Sequence, residues 1–131
     1  MAEGTIRLMV VHWHPVVLRG LTSFLVHEPD MQLVGVASTC EQTLEIAAEL
    51  HPDLVLMGYS TPVMGGVEAT RRLTAAHPDT RVVLIGAAAS REREDRVLES
   101  GGRGYVLLET PPNELAGMLL GLFRGGHPNV A

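Results

Sequence analysis

Short apolar runs alternate along the chain with longer segments in which apolar residues recur every three or four positions. The runs contain β-branched residues and have the length of buried strands, whereas the recurring spacing is typical of helices with one apolar face. In the helix that begins at Pro15, for example, Val17, Leu21, Phe24 and Leu25 share a face. The pattern predicts strands at 6–11, 32–37, 54–57, 81–85 and 104–108, and helices at 15–25, 41–50, 67–76, 90–98 and 113–124.

This alternation predicts an α/β fold: a doubly wound, five-stranded parallel sheet with right-handed crossovers and helices on both faces. In such a sheet the binding crevice lies at the carboxyl ends of the strands, near the point where the strand order reverses. The segments after strands one, three, four and five are therefore the candidate site. They comprise residues 12–14, 58–61, 86–88 and 108–109.

Composition limits the classes of function. Hydrophobic residues make up 46% of the 131 residues and charged residues 19%, which is typical of one globular domain. The net charge of −5 argues against direct nucleic-acid binding, because phosphate contacts need clustered Lys and Arg. A single cysteine, Cys40, excludes an internal disulfide and fits a reducing compartment. With no signal peptide and no apolar stretch long enough to cross a bilayer, we expect a cytoplasmic protein with no membrane contact.

Several motifs together carry a family resemblance. They are Val10-Val11, His14-Pro15-Val16-Val17, Arg19-Gly20-Leu21, His51-Pro52-Asp53-Leu54-Val55-Leu56-Met57, Thr61-Pro62, Gly66-Val67-Glu68-Ala69-Thr70-Arg71-Arg72, Gly102-Arg103-Gly104-Tyr105, and Pro111-Pro112 with Glu114-Leu115. In these motifs the chain resembles the receiver domain of two-component response regulators, most closely the NarL/FixJ (LuxR-type) subfamily. The resemblance implies a flavodoxin-like, or CheY-like, (βα)5 sheet with strand order 2-1-3-4-5 over residues 1–126. It also implies that the tail 127–131 begins a linker to a LuxR-type helix-turn-helix DNA-binding domain, which this chain lacks.

The resemblance further implies which positions carry phosphotransfer, and the chain departs from the family at each of them. His12-Trp13 stand where the family has an acidic pair, and Gly58 stands at the aspartate that accepts the phosphoryl group. Gly86 replaces the switch hydroxyl and Leu108 replaces the lysine, whereas Tyr105 keeps the type of the switch aromatic. Mg²⁺ sites need carboxylate oxygens, and phosphoryl transfer needs a nucleophile with positive charge beside it. We therefore predict a degenerate phosphorylation pocket with no catalytic residue, no Mg²⁺ and no enzyme activity.

His12 and His14 raise the alternative of a metal site, with Glu109 as a third ligand. We favour structural histidines, because His14 belongs to the family motif, and we predict no metal. Trp13 is the only tryptophan. It either stacks on a planar ligand, with His14 as a second contact, or fills the volume that the missing side chains leave.

The composition of the last helix predicts a contact surface. From Leu115 to Phe123 it has no charged residue, although a helix over a sheet normally has a polar outer face. We expect Leu115, Met118, Leu119 and Leu122 to face the sheet, which leaves Leu120 and Phe123 partly exposed, while Gly117 and Gly121 would permit close approach of another helix. These features predict a homodimer through this helix, with the first or the fourth helix as a further contact. The alternative is a helix that is buried more than usual, for example under an appended domain.

The preferred hypothesis is a regulatory and dimerisation module that acts without phosphorylation, as the N-terminal part of a NarL-type transcriptional regulator. The alternative is a sensor in which a small-molecule effector occupies the neutral crevice beside Trp13. A third hypothesis keeps phosphoryl-transfer chemistry on an unusual residue, for which Ser60 and Thr61 are the nearby hydroxyls.

Overall fold

The computed structural model describes residues 5–125, which form a five-stranded sheet with helices on both faces. The strands are β1 (Ile6–Val11), β2 (Met31–Ala37), β3 (Leu54–Gly58), β4 (Arg81–Gly86) and β5 (Gly104–Leu107). Their order is β2-β1-β3-β4-β5, and every neighbouring pair is parallel. The predicted fold class and strand order are therefore confirmed.

Five helices alternate with the strands: α1 (Pro15–Leu25), α2 (Cys40–Leu50), α3 (Gly66–Ala76), α4 (Arg91–Glu99) and α5 (Pro112–Phe123). Side-chain caps fix where three of them begin. His14, Thr39 and Ser90 each accept a hydrogen bond from a backbone N–H in the first turn of α1, α2 and α4. Most observed boundaries lie within one residue of the predicted ones.

The central strands are buried on both faces, so their side chains divide the core into two clusters. Leu8 and Val10 of β1 point to one side, where they join side chains of α1 and α5. Met9 and Val11 point to the other side, towards α2, α3 and α4. This alternation follows from the two-residue period of a strand. It explains why β1, β3 and β4 appear in the sequence as nearly continuous apolar runs.

Helix α5 is rotated relative to the prediction. Met118, which we expected to face the sheet, is 41% exposed, and Ala116 is buried in its place. Leu120 and Phe123 are only partly exposed, because both pack against the core cluster on the α1–α5 face. Leu115, Leu119 and Leu122 are buried as predicted.

Two arginines hold the end of α5 against the sheet. The guanidinium of Arg81 lies 4.5 Å from the centre of the Phe123 ring. Arg103 donates from Nε to the carbonyl of Leu122 at 3.3 Å and from Nη2 to that of Phe123 at 3.5 Å. The carbonyl of Leu122 also accepts the backbone N–H of Gly125 at 3.3 Å, so Arg103 adds to the cap at the end of the last turn. Phe123 is therefore only partly exposed.

One prediction concerns residues outside the described range. The tail 127–131, predicted to begin a linker, lies beyond residue 125. Within residues 5–125, none of the helices combines the length and the apolar character needed to cross a bilayer.

Candidate functional site

The carboxyl ends of the strands bring the predicted site residues together. His12 directly follows β1, Gly58 ends β3, Gly86 ends β4 and Leu108 follows β5. The backbone N–H of Leu108 donates to the carbonyl of Gly86 at 2.8 Å, which joins the last two positions. A Cβ built on Gly58 would lie 3.2 Å from Cδ2 of His12. The imidazole therefore lies beside the space into which a side chain at position 58 would project.

His12 is buried and serves as a backbone acceptor. Its Nδ1 accepts a hydrogen bond from the backbone N–H of His14 at 3.1 Å. Burial lowers the pKa of His12, and the neighbouring His14 lowers the pKa further. Both effects favour the neutral ring, which matches a nitrogen that accepts rather than donates. The imidazole thus adds no charge to the crevice near neutral pH.

His14 and Trp13 complete the first loop. Nδ1 of His14 accepts the backbone N–H of Val16 at 3.2 Å and so caps α1. The indole of Trp13 has its ring centre 6.3 Å from that of His12 and 5.1 Å from that of His14. It remains 45% exposed, at the rim of the crevice. Both histidines therefore accept backbone hydrogen bonds within the loop that leads from β1 into α1.

The donor set does not fit a divalent cation. A Mg²⁺ ion in this position would need several oxygen ligands, and the side chains that meet at the strand ends are an imidazole, an indole and a leucine. Glu109, the third ligand considered for the histidines, is exposed. Throughout residues 5–125, no three His, Cys, Asp or Glu side chains are grouped as a metal site would require.

The two hydroxyls near Gly58 differ in environment. Thr61 is buried, and its Oγ1 donates to the carbonyl of Gly58 at 3.1 Å, a bond that stabilises the loop after β3. Ser60 is exposed and lines the crevice. No hydrogen bond from a histidine or carboxylate side chain to either hydroxyl is present among the described residues. A nucleophile would need such a base, so the geometry gives no support to a substitute acceptor.

Tyr105 points inwards over Gly86 and is only 8% exposed. Its hydroxyl donates to the carbonyl of Ala88 at 2.6 Å. A Cβ at Gly86 would approach the tyrosine Oη below any real contact distance and would lie 2.9 Å from both Cε1 and Cζ. The Tyr105 ring can therefore occupy this position because residue 86 has no side chain.

Sequence reasoning missed Arg93 and Tyr59, which complete this side of the site. Nη1 of Arg93 donates to the Tyr105 hydroxyl at 3.1 Å, and its guanidinium lies 4.4 Å from the centre of the Tyr59 ring. The Tyr59 and Tyr105 rings meet edge to face at 5.6 Å. The sequence shows Arg93 only as one member of a charged run, because its contact with Tyr59 is 34 positions away. No local pattern identifies that contact.

The chain matches the family model described as "Response regulator receiver domain" over residues 8–120. It belongs to this family. It is 41% identical over 101 residues to the response regulator GacA of Pseudomonas viridiflava, covering 77% of this chain and 47% of the relative. It is also 31% identical to the nitrate/nitrite response regulator protein NarL of Escherichia coli strain K12, covering 82% of this chain and 50% of the relative. The subfamily that the sequence resembles is the NarL/LuxR type, as predicted.

Among solved structures, the receiver domain of the putative response regulator NarL from Mycobacterium tuberculosis superimposes with a TM-score of 0.86. It shares 26% identity, and the match covers 92% of this chain and 98% of that one. The chain spans about half the length of the curated relatives it matches. The similarity therefore concerns the receiver part of those proteins.

Proposed function

We propose that this receiver domain is a regulatory and dimerisation module that works without phosphorylation, within a NarL-type transcriptional regulator. The observation that carries the proposal is the pairing of Gly58 with His12. The position that the family resemblance assigns to the phosphoacceptor has no side chain, and an imidazole lies against the space where one would project. Phosphoryl transfer to this position has no nucleophile to receive the group.

The other requirements of the reaction are missing at the same positions. Leu108 offers no charge to the transferred oxygens, and no carboxylate follows β1 to hold Mg²⁺. The changes are mutually consistent, since a buried lysine at position 108 would be an unpaired charge once the acids are gone. Because the changes fit one another, they favour a site in which all of these positions have become uncharged together. A site that had lost only one phosphotransfer residue would not show this.

The position of Tyr105 supports a fixed signalling state. Its inward orientation rests on contacts with Gly86, Ala88 and Arg93 that involve no phosphoryl group. In the proposed function, the surface formed by β4, α4 and β5 is therefore held in one arrangement without a covalent trigger. In this proposal the DNA-binding output lies in a separate LuxR-type domain, and the relatives' extension to about twice the matched length supports this.

The exposed face of α5 supports dimerisation. Met118 is exposed between Gly117 and Gly121, and a Cβ at either glycine would meet nothing within 4 Å. No charged residue occurs between Leu115 and Phe123. A two-fold axis across this face would place the same uncharged surface on both sides of the contact, as symmetric dimers require.

Phosphorylation is tested by incubating the protein with acetyl phosphate and Mg²⁺ and recording the intact mass. We expect no phosphoryl adduct, and no beryllofluoride complex under matching conditions. A receiver domain that retains its acceptor aspartate serves as the positive control. A stoichiometric phosphoryl adduct on this chain would contradict the proposal.

Dimerisation is tested by sedimentation of the wild type against Met118→Glu. We expect the wild type to associate and the variant to sediment as a monomer, because the charge would be buried in the contact. Val63→Glu is the matched control: it makes the same kind of change at a loop position that is 98% exposed. Leu120→Glu and Phe123→Glu are less suitable, since both side chains also pack against the core. A monomeric wild type at high concentration would refute the interface.

A further inference from the structure

Arg93 is a cation without an acidic partner inside an otherwise uncharged crevice. Three of the six arginines in the described helices, Arg71, Arg72 and Arg96, pair with Glu68 or Glu92 at 2.8–3.1 Å. Within residues 5–125, no carboxylate lies within 4 Å of the Arg93 guanidinium. The side chain is partly buried and lines the crevice together with His12, Trp13 and Ser60. A bound anion would provide the negative partner that Arg93 lacks.

The contacts of Arg93 also fix its orientation. Stacking on Tyr59 sets the plane of the guanidinium, and the hydrogen bond to Tyr105 uses one of its five N–H groups. A guanidinium held in this way loses little side-chain freedom when it binds a ligand. Its free edge suits a carboxylate, which accepts two parallel N–H···O bonds.

The crevice adjoins a second, apolar cavity. The crevice has a volume of about 270 Å³, and a groove between α1 and α5 has a volume of about 370 Å³. Val17 and Leu108 line both, so the two spaces lie on either side of these side chains. The groove is lined mainly by apolar residues, among them Leu21, Phe24 and Leu115. Together the two spaces fall within the size range of small-molecule sites, with a polar end and an apolar end.

We propose that these two adjacent cavities bind an apolar monocarboxylate, with the carboxylate on Arg93 and the apolar body passing Leu108 into the α1–α5 groove. Trp13 covers the ligand at the rim. The inference rests on the proposed function, because the crevice is lined by His12, Trp13 and Leu108, the positions that the family resemblance assigns to the acidic pair and the lysine. In this proposal, binding of the monocarboxylate is the input signal of a domain that works without phosphorylation.

Octanoate is the probe, and the fluorescence of Trp13, the only tryptophan, is the readout. We expect a saturable change with octanoate at sub-millimolar concentration and none with inorganic phosphate or 1-octanol over the same range. Arg93→Gln should raise the Kd at least tenfold, a change that corresponds to about 1.4 kcal/mol. The matched control Arg96→Gln removes the same charge from the same helix on its solvent side and should leave the Kd unchanged.

Val17→Glu provides a second variant that does not touch the contacts of Tyr105. It places a negative charge between the two cavities and should abolish octanoate binding. The proposal is overturned if octanoate gives no saturable change below about 1 mM, if phosphate or octanol binds as well, or if both variants bind like the wild type. Acetyl phosphate labelling tests the proposed function separately: failure of octanoate binding without a phosphoryl adduct refutes the ligand alone.

Discussion

The ring of Tyr105 occupies the volume into which a side chain at Gly86 would project. Two ring carbons lie 2.9 Å from the position of a Cβ at residue 86, and the hydroxyl is held by the carbonyl of Ala88 and by Arg93. A hydroxyl-bearing residue at 86 and an inward Tyr105 are therefore incompatible in this arrangement. The two positions form one structural unit.

Gly86→Ser should consequently displace Tyr105. We expect a loss of about 1–3 kcal/mol in the free energy of unfolding, the usual cost of overpacking a core, together with greater solvent exposure of the tyrosine. Chemical denaturation measures the first effect and hydrogen exchange near β5 the second. In a Tyr105→Ala background the penalty of Gly86→Ser should largely disappear, because the obstructing ring is gone. An equal penalty in both backgrounds would show that the two residues are not coupled.

Restoring the acceptor alone should not restore phosphorylation. Gly58→Asp adds a carboxylate whose Cβ would lie 3.2 Å from the His12 ring, and Leu108 remains uncharged. We expect no phosphoryl adduct with acetyl phosphate and no Mg²⁺ binding detectable by calorimetry, because one carboxylate is too few oxygen ligands. The triple variant His12→Asp, Gly58→Asp, Leu108→Lys should gain Mg²⁺ binding. Efficient phosphorylation of the single variant would mean that the other positions are not limiting.

His12 should make the folded state sensitive to acid. Because the folded protein holds the pKa of His12 below the ordinary value of about 6.5, the unfolded chain binds the proton first as pH falls. The contribution of the neutral His12 to the free energy of unfolding is therefore fully present above about pH 6.5. It is lost as the pH falls from that value to the lower pKa of the folded state. Thermal unfolding from pH 7.5 to 5 measures the effect.

The matched variant His12→Asn keeps an acceptor for the His14 N–H but cannot titrate. We expect it to lose less stability on acidification than the wild type, whereas His27→Asn, at an exposed position, should follow the wild type. If His12→Asn is as acid-sensitive as the wild type, protonation of His12 is not the cause.

The fold was predictable because its signals are local. The apolar runs of β1, β3 and β4, and the proline that opens α1, identify their elements without reference to distant residues. The convergence of His12, Gly58, Gly86 and Leu108 also followed, since parallel strands of a sheet end at the same edge.

Other features were not predictable because they depend on tertiary contacts. The apolar residues of α5 are too numerous to define one face, so the sequence assigned Met118 to the sheet in place of Ala116. The position of Arg93 depends on the packing of α4 against the loop after β3, and that packing has no signature in either segment alone. When a helix has more apolar residues than its buried face can hold, their spacing alone does not show which of them are buried.

Alanine substitutions at Gly117 and Gly121 should affect the stability of the monomer and its association in opposite directions. Both lie on α5 with open space around a built Cβ, so replacement by alanine should raise the stability of the monomer by up to about 1 kcal/mol each through helix propensity. If a second copy approaches closely at this face, the same methyl groups should weaken the dimer. Sedimentation and thermal unfolding at low concentration measure the two effects.

Gly20→Ala in α1 is the control, because a Cβ there also meets nothing within 4 Å and the residue lies outside the proposed dimer face. It should stabilise the fold without changing association. Opposite signs for stability and association in the α5 variants, with no change in association for Gly20→Ala, would locate the contact at these glycines. Unchanged association in all three variants would mean that any dimer uses another surface.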